Sequence, residues 1–260
     1  MKRASPVALR AHSAGAWLVV AACAACSAGS VVSFYSVEGH HFSWWERHTI
    51  NRITIRTIEE VRLLLADLPA DPVVRVSAAG ADEDVSDVTG AAGNANSSAI
   101  YWRVDPDHPD GIAHVANIWL RQTLYHELHH LVRFNTVGPG PGLIGNVIVE
   151  GLATAFERDF AGGPVPWGAY PPEVDLWADE LIRLPESATR DDWMARLPTG
   201  AKEWLVHRTG TYLADLAMSA SGRSAADLVS APTADIARLA LGDMRPVTRG
   251  QAQRSETQGE

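Results

Sequence analysis

Cysteine is almost missing from this chain: Cys23 and Cys26 are the two it has, both near the N-terminus. A disulfide framework is excluded from the rest of the sequence, as are a cysteine nucleophile and a thiolate-rich zinc finger. Basic charge is scarce too, with 22 Lys and Arg against 31 Asp and Glu, giving a formal charge of −9. No basic stripe is available to neutralise phosphates, so nucleic acid is not an expected partner. Internal repeats are absent, and the apolar stretch at residues 14–22 is too short to span a bilayer comfortably. With 260 residues, 46% of them hydrophobic, the chain can bury a sizeable core in one domain or at most two small ones.

Residues 1–28 read as a targeting segment rather than as fold. Lys2, Arg3 and Arg10 precede the apolar stretch, and Val20-Ala21-Ala22-Cys23 resembles the lipobox of bacterial lipoprotein precursors. Cys26 is a poorer second candidate for the lipidated residue, and an ordinary secretory signal cleaved after a small residue is the other reading. Both readings export the mature protein to the cell envelope, periplasm or medium. A lipid on Cys23 would make the membrane a partner.

The residues that carry chemistry are Tyr125-His126-Glu127-Leu128-His129-His130. Read as H-E-x-x-H on a helix, His126 and His130 lie one above the other and can ligate one metal ion. Glu127 then projects beside that ion as a general base. His126 and His129, at i and i+3, are an alternative pair, but that pairing leaves Glu127 without a role, so His126 with His130 is preferred. Val115, Ile118, Trp119, Leu124, Leu128, Leu131 and Val132 recur at helical spacing, predicting a helix that starts near Asp110 and stops at the loop Gly138 to Gly142.

Around the motif, residues 31–45 read as irregular and Trp44 to Leu68 as an amphipathic helix, with Ile50, Ile53, Ile55, Ile58, Val61, Leu64 and Leu65 inward. Val73 to Val76 is a predicted strand, residues 80–98 a long surface loop with a solvated acidic cluster Asp82-Glu83-Asp84, and Ser98 to Val104 a second strand. That second strand stands where zinc peptidases place the edge strand that pairs with substrate. Leu143 to Phe160 is a second helix, on which Glu150 occupies an apolar neighbourhood where an unpaired carboxylate would be unfavourable. A metal ion would compensate it, and two-His, one-Glu zinc sites take their Glu from such a following helix. Gly151 and Ala153 would let this helix approach the motif helix closely. Pro164 to Pro172 is a rigid connector; further helices are predicted over Glu173 to Leu184, Asp191 to Arg196, Ala201 to Ser219, Ala225 to Val229 and Thr233 to Leu241. Gly210 is unfavourable inside the third of these unless close packing requires it. Residues 245–260 read as a disordered tail.

His126-Glu127-x-x-His130 followed by Glu150-Gly151-Leu152-Ala153 resembles a family of bacterial predicted zinc-dependent proteases, a domain of unknown function in the zincin group. The resemblance continues through Pro166-Trp167 and covers roughly residues 95–242. It implies an α+β, zincin-like metallopeptidase domain over residues 31–244: a small N-terminal sheet, the active-site helix and a mainly helical C-terminal part. It departs from the family in the late helix, where Val206-His207-Arg208-Thr209-Gly210 stands for a Gly-Tyr pattern. The implied activity is hydrolysis of peptide bonds in peptides or proteins. Zn2+ would be held by His126, His130 and Glu150, with Glu127 as base and His207, before Tyr212, as oxyanion donor. Thr154 and Glu157 are candidate partners of the ligands. A metal-stabilised binding module of the envelope and a zinc amidase acting on cell-wall links are the competing expectations.

Overall fold

The computed structural model describes residues 31–36, 39–80, 85–198 and 203–242. The targeting segment with Cys23 and Cys26, the acidic cluster at 82–84 and the tail at 245–260 lie outside the described residues. Among the described residues, no helix is long and apolar enough to cross a membrane.

The architecture is mixed α+β, a small sheet first and helices after it. Strand β1 (Val32–Tyr35) leads to α1 (Trp44–Arg62), followed by β2 (Val74–Ala78), β3 (Ala91–Ala95) and β4 (Ile100–Val104). Ser43 starts α1 with a capping box: its hydroxyl accepts from Glu46 N at 3.3 Å while Glu46 accepts from Ser43 N at 2.7 Å. The helix ends at Arg62, short of Leu68, although Leu65 and Leu68 remain buried in the turns beyond it. Ile55 is 49% exposed instead of inward. The buried stripe runs through Ile50, Thr54, Thr57, Ile58 and Val61, and Ile55 stands about 100° from Thr54 around the axis.

The sheet order is β1-β2-β4-β3, with β1, β2 and β4 parallel and β3 antiparallel to β4. Val74, Val76, Ile100, Trp102 and Val104 alternate onto the helix-facing side, each completely buried. Three sequence expectations change here. Residues 31–45, read as irregular, supply β1, and the loop expected at 80–98 contains β3. The strand at 100–104, expected at the edge, is interior, and β3 is the edge.

Helix α2 (Ile112–Val115) passes through a π turn (Ala116–Leu120) into α3 (Arg121–Thr136). Gly111, with φ of 79°, is the N-cap of α2 and gives it no side-chain cap, so the helix begins just past Asp110. The π turn adds a residue to the ladder and rotates the helix beyond it. Val115, Ala116, Leu120, Leu124 and Leu128 consequently form the buried row, and Ile118 turns outward. At the far end of α3, fully buried Arg133 donates to Val229 O at 2.9 Å, Ala231 O at 3.0 Å and Thr233 Oγ1 at 2.7 Å. Burial lowers its pKa to about 10, which leaves it a cation at neutral pH.

After α3 come α4 (Gly142–Phe160), a 3-10 turn at Pro166–Gly168, α5 (Val174–Ile182), α6 (Arg190–Met194), α7 (Leu205–Ser221), α8 (Ala225–Leu228) and α9 (Thr233–Gly242). Helices α4 and α7 pack on each other more extensively than any other two elements. Their crossing is a backbone contact between Gly151 and Gly210: a Cβ on Gly151 would overlap the carbonyl of Gly210, and one on Gly210 would overlap Val147 O. The small residue Gly151 therefore serves an approach to α7, not to the motif helix. Arg158 clamps the same pair, donating to both carboxylate oxygens of Asp215 at 2.9 and 2.8 Å.

Because the obstructing atoms at the crossing are backbone, neither helix can yield without separating. Gly210→Ala is expected to destabilise the fold by about 3 kcal/mol or more, lowering Tm by roughly 2–4 °C per kcal/mol. Calorimetry would check this; an unchanged Tm would mean that the two helices do not touch there.

Candidate metal centre

His126 and His130 stand one turn apart on α3, and both imidazoles turn towards Glu150 in the middle of α4. Their Nε2 atoms are 3.0 Å apart, and Glu150 Oε2 lies 3.2 Å from the first and 3.4 Å from the second. Ligands about 2.0–2.2 Å from a tetrahedral ion are separated by edges of about 3.3–3.6 Å. The observed triangle is near that size, so these three residues could hold one metal ion. All three residues line a cavity that runs along β3 beside Gly93, Asn94 and Ala95.

The surroundings orient the ligands. Glu157, buried at 1% exposure one turn further along α4 than Thr154, places Oε2 3.3 Å from His126 Nδ1. A proton on Nδ1 leaves the lone pair of Nε2 free for a metal. Trp167 Nε1 donates to the same Glu157 oxygen at 2.9 Å and fixes it in turn. His130 stacks on Phe134, with ring centroids 5.4 Å apart and planes 2° from parallel. Thr154 holds no ligand; its hydroxyl is buried without a hydrogen-bond partner among the described residues. His129 points the other way, its Nε2 3.4 Å from Ala225 O, which removes the His126–His129 pairing.

Electrostatics follow from crowding. Burial depresses the His126 pKa, but hydrogen bonds to Glu150 and Glu157 outweigh it and hold the imidazole well above its ordinary value. Burial likewise raises Glu150, yet His130 and His126 pull it well below the carboxylate range. For Glu127 burial wins over the two histidines, and its pKa is raised. Glu127 Oε2 is buried with no hydrogen-bond partner among the described residues.

Edge strand β3 passes directly over that carboxylate. A Cβ on Gly93 would come 2.8 Å from Glu127 Oε1 and would also strike Thr123, so the strand lies this close only because residue 93 is glycine. Two cavities open along β3, of about 250 and about 350 Å³, and share Gly93, His126, Glu127 and His207. They form the two halves of one cleft with Glu127 at its middle.

His207, on the first turn of α7, lines both halves, and its Nε2 is 3.4 Å from Glu150 Oε2. Burial lowers its pKa to about 4, so it is a neutral imidazole at physiological pH. Tyr212 does not reach the site: its ring lies 5.5 Å from that of Tyr170. Five residues past His207, it points about 140° away around α7. Arg208 turns onto the ring of Trp204 at 5.0 Å. The residues missed by sequence reasoning are Gly93 and Trp204. Gly93 sits in a Gly/Ala/Asn/Ser run that resembles a loop, and Trp204 has no pattern to flag it.

Metal ligands must shed protons before they bind. With its pKa raised, His126 favours the protonated metal-free form at low pH and gives up that preference as pH rises through the raised value. Metal affinity is therefore expected to climb with pH across that range, with release of about one proton per ion, read by calorimetry in buffers of different ionisation enthalpy. Glu157→Gln is expected to weaken metal binding by about 10–100-fold, measured by competition with a chelating dye.

Comparison with family models, with curated proteins and with solved structures gives no match to this chain.

Proposed function

We propose that the chain is a zinc-dependent peptidase of the zincin kind, in keeping with the resemblance of its motifs, and that it acts outside the cytoplasm. The observation that supports this most is Glu127. A buried carboxylate with an unpartnered oxygen, centred between two halves of an open cleft beside a three-ligand triangle, has no use in a closed structural site. The donor set of two imidazoles and one carboxylate suits zinc and leaves room for a water or substrate oxygen.

His126, His130 and Glu150 would hold the ion, which when bound supplies Lewis acidity to a water and to a scissile carbonyl. Glu127 takes the proton of the attacking water on its carboxylate. Burial raises its pKa, which suits a carboxylate that accepts this proton and then returns it to the leaving amine. His207, neutral, donates a hydrogen bond to the carbonyl oxygen as that oxygen gains charge. Strand β3 offers its free edge to an extended substrate backbone, which would fix the scissile bond over Glu127.

One observation favours a second reading. His207 Nε2 approaches the Glu150 oxygen that faces both other imidazoles, so it could complete a closed, four-ligand site that only ties α3, α4 and α7 together. Zinc content separates the two. Under the peptidase reading, His207→Ala keeps about one zinc per chain and Glu150→Ala loses it; under the closed reading both lose it.

Glu127→Gln is expected to retain zinc and to lower hydrolysis of a digestible protein by about 10²–10⁴-fold. Gly93→Ala is expected to retain zinc and lower kcat by displacing the same carboxylate. Hydrolysis unchanged in Glu127→Gln would overturn the mechanism.

A further inference from the structure

The two halves of the cleft differ in chemistry. In the smaller half, Trp167 and Trp204 stand beside His126 and Glu127, with ring centroids 6.4 Å apart, and Trp119 backs Trp167 at 6.0 Å. Trp204 is the only non-glycine residue with positive φ among the described residues, at 52°. A bulky residue pays for that conformation in strain, and such strain is retained where it aims a side chain. Here it aims an indole into the cleft at the start of α7, and Arg208 stacks on the ring.

In the larger half the wall carries Arg190 beside Asn146, Phe134 and Val206. Arg190 is exposed, and its guanidinium has no ion pair or hydrogen bond to any described residue. It is near enough for its charge to act on His207. Its helix is anchored: Thr189 and Asp192 form a capping box, and buried Trp193 donates Nε1 to Trp177 O at 3.0 Å. In a chain of net charge −9, an unpaired guanidinium on a fixed element in the cleft wall is suited to recruit an anion.

We infer that the cleft selects extended peptides by two side chains, one on each side of Glu127: a large apolar or aromatic one between Trp167 and Trp204, and an acidic one, Asp or Glu, at Arg190. This assignment rests on the peptidase reading. It adds to that reading which residues flank the bond that is cut. The aromatic half works by desolvating a flat side chain against indole faces. The cationic half works by charge-assisted hydrogen bonding, with Arg190 forking onto a carboxylate.

The test uses binding, so it does not require a known cleavage site. The zinc-loaded full chain carrying Glu127→Gln is panned against a random peptide library displayed on phage, and affinities of selected peptides are measured by calorimetry. Selected sequences are expected to pair an aromatic or large apolar residue with Asp or Glu a few positions away. Adding Arg190→Glu is expected to weaken those peptides by about tenfold or more and to select Lys or Arg in place of the acid, with the aromatic preference kept. Adding Trp204→Gly, which also relieves the left-handed backbone, is expected to lose the aromatic preference and keep the acidic one. Zinc content and Tm establish that each variant is folded. Peptides selected without acidic enrichment, or an acidic preference that survives Arg190→Glu, would overturn the assignment and leave the peptidase reading intact. A zinc-loaded protein that binds no peptide would overturn both.

Discussion

The site depends on two helices meeting without side chains between them. At Gly151 and Gly210 the backbones of α4 and α7 touch. Glu150 is the residue before the first glycine, and His207 is one turn before the second, so the contact sets how far apart they stand. The 3.4 Å between His207 Nε2 and Glu150 Oε2 follows from that approach. A methyl group at either glycine would alter the cleft from behind while touching none of the residues that line it. Arg158 and Asp215 close the same pair of helices by charge, on an axis that the glycines have already fixed.

A similar economy governs the other wall. Strand β3 can pass over α3 because Gly93 presents no side chain to Glu127 and Thr123, and because Ala91, Ala92 and Ala95 are small. The properties that make the stretch a poor strand former leave its edge open above the carboxylate. Low β-propensity is offset by pairing with β4, whose Ile100, Trp102 and Val104 are anchored in the core.

These two contacts explain why some of the site is legible in the sequence and some is hidden. The spacing of His126, Glu127 and His130 is a local property of one helix, and Glu150 betrays itself as a carboxylate among apolar neighbours. The helical C-terminal part shows because its apolar periods are regular. Strand β3 is hidden because its existence is a tertiary matter, decided by β4 on one side and α3 beneath. Ile118 misleads because the π turn at Ala116–Leu120 shifts the helical phase, and no residue in that turn announces it. Tyr212 misleads because its hydroxyl suits an oxyanion while its place five residues past His207 turns it to another side of α7. Ile55 misleads because two threonines take the inward places beside it.

Arg133 links the far end of the motif helix to the last third of the chain. Its guanidinium is sealed from water and held by two carbonyls and a hydroxyl from the segment between Val229 and Thr233, while His129 leans on Ala225 O a turn earlier. Without the stretch from Ala225 to Thr233 the helix would present a bare cation and an unbonded imidazole inside an apolar layer. The helix that carries His126 and His130 is therefore finished only when residues about a hundred positions later arrive, and a fragment ending before α8 would hold His126, His130 and Glu150 yet lack the floor beneath them.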